Sequence, residues 1–344
     1  MPLIHEVFTA SNLAGYYGVA SGEGVDQTLG RRLFPERKQL GLNLSYIKGA
    51  NETPVVLKAS EFDTEVTLRD RMEISLHEET LPFFREGMLI KEKDRQQLNT
   101  LEQTGNQALI DTVVNTIFND QAKLLTAAHA RLEAMRMRVL ATGVIDTVSD
   151  GVPLNFDYNV PEENKGTVAV SWADEGADPL ADIEQAKTAL EELGKKPEII
   201  IMNSNTFSLI RNAPATQNYI DPNGGKVKRS DVIDYLSDEL ELTIELKNDT
   251  FKDDDGVVKK YYPNGRVTLI PNEILGYTVF GTTPEESDLV SGNDLTVSIV
   301  DTGIAITTET HTKPVNVETN VSMITLPSFE NITSVYMLEV VPEP

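Results

Sequence analysis

Cysteine is absent from all 344 residues. Its absence excludes disulfide bridges, thiolate nucleophiles and cysteine-ligated metals. Histidine is nearly absent as well, and its four copies are scattered outside any metal-binding frame such as H-E-x-x-H: His5, His77, His129 and His311. We therefore expect no catalytic residues, no metal site and no cofactor.

Positive charge is scarce. The chain has 30 Lys+Arg against 54 Asp+Glu, a net charge of -24. Residues 1–150 carry 16 basic and 21 acidic side chains, which leaves 14 against 33 for residues 151–344. Binding to nucleic acid or to an anionic membrane needs a basic face, so both are disfavoured. The simplest interpretation is that the negative charge keeps the protein soluble, and a specific role of the charge in function is an equal alternative.

Long apolar runs are also missing. No run reaches 18 residues, and no basic segment precedes an apolar stretch at the N-terminus. We therefore predict neither a transmembrane helix nor a secretory signal. Hydrophobic residues nevertheless make up 40% of the chain, which suits a buried core in two domains or one large elaborated domain.

The first half of the chain has three distinct parts. The small, glycine-rich first 30 residues predict an extended arm, with or without one short turn of helix, and no packed core element. Alternating polar and apolar residues over 38–76 predict a long β ribbon, with Leu40, Leu42, Leu44 and Tyr46 on one face. Such a ribbon is marginal alone, so it must lie on this chain or on another copy.

A long helix is predicted over residues 95–141. Apolar residues recur there at spacings of three and four with Gln121 in one slot, no proline occurs from Arg95 to Asp150, and Gly143 stands at the expected stop. A helix of this length would span roughly 60 Å, about twice a small domain. We interpret it as a spine.

The second half predicts a mixed α/β block. Asp178-Pro179 opens a helix that Gly194 closes, and Glu198–Met202 is a short buried strand. Asn203 or Ser204 caps the next helix, and Ser230 with Asp231 caps another. Several strands follow, so the fold class is α+β. Trp172, the only tryptophan, is interpreted as a packing anchor.

Motifs for catalysis or metal binding are missing. The acidic stretch Lys252–Gly256 resembles half of a calcium loop, but the frame puts Tyr262 where the site needs a glutamate. A hairpin turn at Asp254-Asp255-Gly256 is the better interpretation. Neither a dinucleotide fingerprint nor a phosphate loop is present. What remains is a set of parts that neighbouring copies would have to complete.

The order and spacing of several segments resemble the lambda-type major capsid proteins (E family) of tailed phages, which share the Hong Kong 97-like capsid fold. The resemblance covers nearly the whole chain. The segments that carry it are Trp172 into Asp178–Glu184, Glu198–Met202 with Asn203–Arg211, Asp255–Pro263 into Val267–Pro271, Met323–Pro327 and Ser334–Val341.

The resemblance implies a division of the chain into capsid parts. These are an N-terminal arm (1–35), an extended loop (36–76), a peripheral domain (77–174) with its spine helix (95–141), an α/β axial domain (175–310), and last strands (311–344) that return to the peripheral domain. Many relatives begin with a cleaved helical scaffolding segment. Here the ribbon starts within 40 residues of Met1, and this departure from the family pattern favours a separate scaffolding protein.

Our leading hypothesis is a structural, non-enzymatic major head protein of a tailed phage or prophage. It would assemble with itself in the host cytoplasm into hexamers and pentamers of an icosahedral virion shell around double-stranded DNA. A portal and possible decoration protein would be further partners. Charges of the ribbon would either pair between subunits or simply be solvated: Glu61, Asp63, Glu65, Arg69 and Arg71. An encapsulin-like compartment shell, a tail or baseplate component and a carboxylate-based hydrolase remain alternatives.

Overall fold

The computed structural model describes residues 8–20, 28–47, 76–92, 107–149, 151–291, 296–312 and 315–341, together with residues 96 and 100. The chain divides into two compact units. The first contains residues 1–44, 78–136 and 277–328, and the second contains residues 45–77, 137–276 and 329–344. Within the described ranges, no helix combines the length and the apolar character needed to cross a lipid bilayer.

Helices and strands are mixed along the chain. The described strands are β1 (Glu36–Lys38), β2 (Asn43–Ile47), β3 (Leu76–Thr80), β4 (Phe83–Ile90), β5 (Val144–Ser149), β6 (Val152–Asp157), β7 (Lys165–Thr167), β8 (Ile199–Met202), β9 (Thr243–Leu246), β10 (Thr250–Lys252), β11 (Val258–Lys260), β12 (Arg266–Ile270), β13 (Thr278–Phe280), β14 (Thr296–Val300), β15 (Ile304–Thr312), β16 (Val315–Pro327) and β17 (Tyr336–Glu339). The described α-helices are α1 (Ala10–Ala20), α2 (Leu29–Leu33), α3 (Gln107–Thr142), α4 (Pro179–Glu192), α5 (Ser204–Asn212), α6 (Pro214–Ile220), α7 (Arg229–Asp238) and α8 (Pro284–Ser291). Short 3₁₀ turns lie at Glu162–Asn164 and Ile332–Ser334.

The first unit is built around the long strand β16. Five strands of the sheet follow the order β1-β13-β16-β15-β14. The sixth strand, β4, pairs with β16 along the edge opposite β15. Pairing with β4 runs in antiparallel register from Val317 opposite Ile90 to Ile324 opposite Phe83. Residues of both faces of β16 are buried, so this strand lies in the core of the unit.

The long helix α3 confirms the predicted spine over the described part of its range. It has 36 residues and is therefore about 54 Å long. The predicted apolar stripe is buried at Leu124, Leu132 and Val139, and Gln121 fills its slot as a buried polar residue. The predicted start at residue 95 lies outside the described residues. The boundary between the two units falls within α3, after Arg136.

The prediction of an extended arm was wrong for its described residues. They form the helices α1 and α2, and Phe8, Ala10 and Leu13 are buried. Glycine, tyrosine and alanine dilute the apolar periodicity of this segment, so the pattern alone favoured an arm. The helix is stabilised instead by packing against distant residues, which outweighs weak local propensity.

The second unit contains a five-stranded sheet in the order β7-β17-β12-β8-β9. All four residues of β8 are buried, which confirms the predicted strand in Glu198–Met202. Its helices begin where predicted: the Asp178 side chain accepts a hydrogen bond from the Ala181 N–H, and Asn203 caps α5 by accepting from Thr206 N–H. Gly194 ends the first of these helices with φ +74°.

Two local predictions in this unit have different outcomes. The hairpin is confirmed, because β10 and β11 pair in antiparallel register around Gly256, where φ is +77°. The predicted helix cap at Ser230 and Asp231 was wrong in position, because α7 already begins at Arg229 and its N-cap residue is Lys228. Asp231 accepts a hydrogen bond from the backbone N–H of Lys228 at 2.8 Å and so closes the first turn from inside the helix.

The two compact units divide the chain differently from the predicted segments. Residues 277–310, predicted to belong to the axial domain, lie in the first unit, and residues 137–174 lie in the second. Of the last strands, β16 belongs to the sheet of the first unit, whereas β17 pairs with β12 and β7 in the second. Strand pairing over more than 50 residues of sequence decides this division, and local patterns do not encode it.

Candidate functional site

A buried polar network joins the N-terminal arm to α3 within the first unit. The Thr28 hydroxyl donates to Glu133 Oε2 at 2.6 Å, and the Gly30 N–H donates to Glu133 Oε1 at 3.2 Å. Both carboxylate oxygens therefore hold the start of α2. A Cβ on Gly30 would lie only 2.3 Å from Glu133 Oε2, so this close approach requires glycine.

One turn further along α3, Arg136 extends the network to two strands. Its Nε donates to Thr278 Oγ1 at 2.7 Å, and its Nη2 lies 3.5 Å from Glu36 Oε1. Burial lowers the pKa of Arg136, and the carboxylates of Glu36 and Glu133 oppose this by favouring the charged form. A buried guanidinium with such partners fixes β1 and β13 against the helix.

The network ends in a half-buried ionic group around Asp301. This carboxylate lies 3.6 Å from Arg31 Nη2 and 3.2 Å from His129 Nε2. The nearby His129 ring, with a further contribution from Arg31, lowers the pKa of Asp301 despite partial burial. The ring of Tyr17 stacks on His129 with 5.7 Å between centroids. Helix α1 and helix α2 therefore meet at this group.

Aromatic contacts fix the start of α1. The rings of Phe8 and Tyr16 lie 4.7 and 5.3 Å from the ring of Phe118, and the Tyr16 hydroxyl donates to Asn119 Oδ1 at 2.8 Å. Pairs at these distances are stabilising beyond the apolar area they bury. The described part of the arm is thus packed on its own subunit.

The base of the predicted ribbon is present as a two-stranded sheet of β2 and β3. The single-face prediction for the leucines was wrong, because the strand begins only at Asn43. Leu44 is buried, whereas Leu40 and Leu42 precede the strand and are 88% and 54% exposed. Gly41, between them, has φ +95°, which breaks the alternation on which the prediction depended.

The five predicted inter-subunit charges lie outside the described residues: Glu61, Asp63, Glu65, Arg69 and Arg71. His5 lies outside them too. His311 Nε2 is 3.0 Å from Glu318 Oε2 on the neighbouring strand, which is hydrogen-bonding distance. The Trp172 indole is buried and donates to Asp182 Oδ2 at 2.8 Å, which confirms a packing anchor.

Chemistry is limited in the described part of the chain. No group of three or more histidine, aspartate or glutamate side chains in it is arranged to hold a metal ion. Its most buried carboxylates, Glu36 and Glu133, already accept hydrogen bonds from within the chain. The network suits a structural anchor that holds elements in one arrangement, because its polar groups are directed at one another.

Sequence reasoning missed Glu133 and Arg136 as members of this network. Each follows directly after a residue of the apolar stripe, Leu132 or Met135. A charged pair beside the stripe was the one sequence signal that could have indicated a buried ion pair. Their partners could not be read from it, since Thr28 is 105 residues away from Glu133 and Thr278 is 142 residues away from Arg136.

A family model described as phage major capsid protein E matches residues 19–340 of the chain. No curated protein matches the sequence at a significant level.

Several solved structures are similar to this chain in fold. The protein assigned as the capsid protein of an Escherichia coli CFT073 prophage is 14% identical, with a TM-score of 0.61 over 97% of this chain and 99% of that one. A phage-related protein of Bordetella bronchiseptica RB50 is 13% identical, with a TM-score of 0.54 over 98% of each chain. The cyanophage A-1(L) capsid protein is 11% identical, with a TM-score of 0.53 over 92% of each. The fold is therefore the Hong Kong 97-like fold of phage capsid proteins.

Proposed function

Because the chain belongs to the phage major capsid protein E family, a family of structural virion proteins, we propose that it forms hexamers and pentamers of an icosahedral head around double-stranded DNA. The observation that carries the proposal is the match along residues 19–340 to this family. The capsid fold supports it over the same length. The mechanism is association without catalysis, completed in the host cytoplasm.

Burial between neighbouring copies drives this association. Apolar area removed from water stabilises a contact by roughly 25 cal/mol per Å². A closed symmetric lattice repeats each small contact many times, so individually weak contacts suffice. The extended loop at 36–76 is proposed to reach a neighbouring subunit, and its charges Glu61, Asp63, Glu65, Arg69 and Arg71 are proposed to pair there.

The arm supports a specific version of this mechanism. Its described helices are fastened to α3 by Glu133 and by Phe118. Moving them onto a neighbour would break these buried contacts. The proposal therefore keeps these two helices on their own subunit in the assembled head.

The acidic balance of the chain suits a wall that does not bind packaged DNA tightly. Because its net charge is -24, the chain repels both DNA and other copies of itself at long range. Screening shortens this repulsion to about 8–10 Å at physiological salt. Assembly should therefore become more favourable as salt rises from low concentrations. A portal, a separate scaffolding protein and a decoration protein are the proposed further partners.

Electron microscopy of the full chain, expressed alone and with the scaffolding protein of its own phage, tests the proposal. Closed shells are the expected product. Rings or tubes would indicate a tail component, and a preparation that stays monomeric under both conditions would contradict the proposal. Deleting residues 42–66 and inserting a Gly-Ser linker tests the loop, because normal shell yield would exclude it as a lattice contact.

A further inference from the structure

The tripeptide Pro-Asn-Gly occurs twice in the second unit. One copy is Pro222-Asn223-Gly224, in the loop between α6 and α7, and the other is Pro263-Asn264-Gly265, directly before β12. The backbone nitrogen after an asparagine can attack the asparagine side chain, and glycine favours this attack because it has no Cβ to hinder the approach. The same local chemistry therefore stands in two different surroundings of one chain.

The reaction consumes water and releases ammonia. The backbone nitrogen of the glycine loses its proton to hydroxide and forms a bond to Cγ of the asparagine. The bond from Cγ to the side-chain nitrogen then breaks, and ammonia leaves with a proton taken from water, so that a cyclic imide remains. A second water opens the imide at one of its two carbonyl carbons, which gives aspartate or isoaspartate. No oxidant, reductant or enzyme is needed, but the glycine nitrogen must be accessible to hydroxide.

The loop of the first copy leaves both reacting groups accessible. Asn223 and Gly224 are exposed, and the side-chain amide of Asn223 makes no hydrogen bond to any residue that the structure describes. The Gly224 N–H donates to the Asp221 carbonyl at 3.1 Å, inside a turn of four residues. Such a local contact at the surface opens at a small free energy compared with global unfolding. Hydroxide can then reach the Gly224 nitrogen, and the Asn223 side chain can rotate onto it.

The second copy is held by tertiary contacts. Gly265 is buried, and its N–H donates to Thr206 Oγ1 at 3.1 Å. Three side chains donate to Asn264 Oδ1, at 3.0, 3.3 and 3.2 Å: Asn203, Asn205 and Lys260. Because Thr206 and Asn203 lie about 60 residues away in sequence, opening one turn does not release these contacts. The nitrogen that must lose its proton is therefore shielded from hydroxide.

We propose that Asn223 is a site of spontaneous deamidation and that the fold protects Asn264 from the same reaction. The inference does not depend on the proposed capsid function. Each event adds one negative charge to a chain whose net charge is already -24, two residues after Asp221. Where isoaspartate forms, the main chain between residues 223 and 224 gains one carbon atom. The turn closed by the Gly224 N–H then loses its geometry, so the loop between α6 and α7 changes shape as the protein ages.

The test follows both copies in one sample. The unassembled full chain is incubated at neutral and at mildly alkaline pH, and peptide mapping by mass spectrometry records the gain of about one dalton at each asparagine. Asn223 should convert at least about tenfold faster than Asn264, because only the local turn has to open. Its rate should also rise with pH, since the reacting form of the Gly224 nitrogen is the deprotonated one. Equal rates at the two positions in the folded chain would overturn the inference.

Unfolding the chain in urea separates the effect of the fold from that of the sequence. Both copies read Pro-Asn-Gly, so their rates should agree within about threefold once the tertiary contacts are gone. The rate at Asn264 should rise to reach this value. If Asn264 stays slow in urea, its protection does not come from Thr206 and Asn203, and the inference is wrong.

A substitution identifies the reacting residue. Asn223→Gln should abolish the mass gain in its peptide, because the longer side chain closes the ring much more slowly, and it should leave the rate at Asn264 unchanged. The thermal unfolding midpoint should also stay unchanged, since the Asn223 side chain is exposed. A mass gain that persists in this peptide would assign the reaction to another residue, such as Asn218, and would contradict the proposal. None of these measurements requires shells, so a failure of the capsid function would leave their result intact.

Discussion

Arg136 Nη2 and Glu36 Oε1 lie 3.5 Å apart, and each of the two side chains is only 4% exposed. Glu36 belongs to β1, directly after the predicted arm, whereas Arg136 belongs to α3, 100 residues later. A buried ion pair of this kind contributes little net stability by its formation, but losing one partner is costly because the other charge stays buried.

Arg136→Met should therefore destabilise the unassembled chain by about 2–4 kcal/mol. This loss is smaller than for a fully isolated buried charge, because Glu36 keeps its contacts with Arg31 and Thr302. The measurement is chemical denaturation. Lys123→Met on the same helix is the control, because its partner Asp120 is also exposed. The control should change stability by at most about 0.5 kcal/mol. Equal effects of the two substitutions would contradict a buried anchor.

Phe118→Ala should release helix α1 from α3. Phe118 is buried and contacts Phe8 and Tyr16, so its removal leaves a cavity under the arm. The expected loss is about 2–4 kcal/mol, expressed mainly as faster hydrogen exchange over residues 10–20. Leu109→Ala, at an exposed position of the same helix, should leave that exchange unchanged. Unchanged protection in Phe118→Ala would show that the arm is held elsewhere.

Acid should destabilise the folded chain by protonating the Asp301 carboxylate. Its pKa is lowered in the folded chain by His129 and Arg31, so the unfolded chain binds the proton more readily. The contribution is therefore fully present above the ordinary aspartate value of about 3.9 and is lost as pH falls through the lowered folded value. The stability difference between wild type and Asp301→Asn should shrink as pH falls from about 4 through the lowered pKa of Asp301. A difference that grows with acid would refute this assignment.

The second unit was the more predictable part of the fold, for a physical reason. Its helices carry their own start and stop signals, as at Asp178, Asn203 and Gly194, and these act within one turn of the chain. The arm was mispredicted because its helix depends on Phe118, about 100 residues away. Local propensity cannot report a contact at that distance.

The candidate site was the least predictable feature. Its central carboxylate, Glu133, is one of 54 acidic residues, and nothing in its local sequence shows that Thr28 and Gly30 will donate to it. The resemblance to a family predicted the fold and the role. The particular contacts follow from tertiary packing, where a single backbone turn, such as that at Gly41, exposes two leucines that alternation had assigned to a strand face.

The end of the spine helix offers a last test, because a sequence signal and a tertiary contact coincide there. Gly143 has φ +69°, as a helix C-terminus often requires, and a Cβ on it would lie 2.1 Å from Val160 Cγ2. Gly151 has a similar φ of +75° but open space around its Cβ position. Gly151→Ala should thus cost only the backbone strain of about 1 kcal/mol. Gly143→Ala should cost about 2–4 kcal/mol, because Val160 must also move. Thermal denaturation of the two variants measures the difference, and equal costs would mean that the helix end relaxes without disturbing Val160.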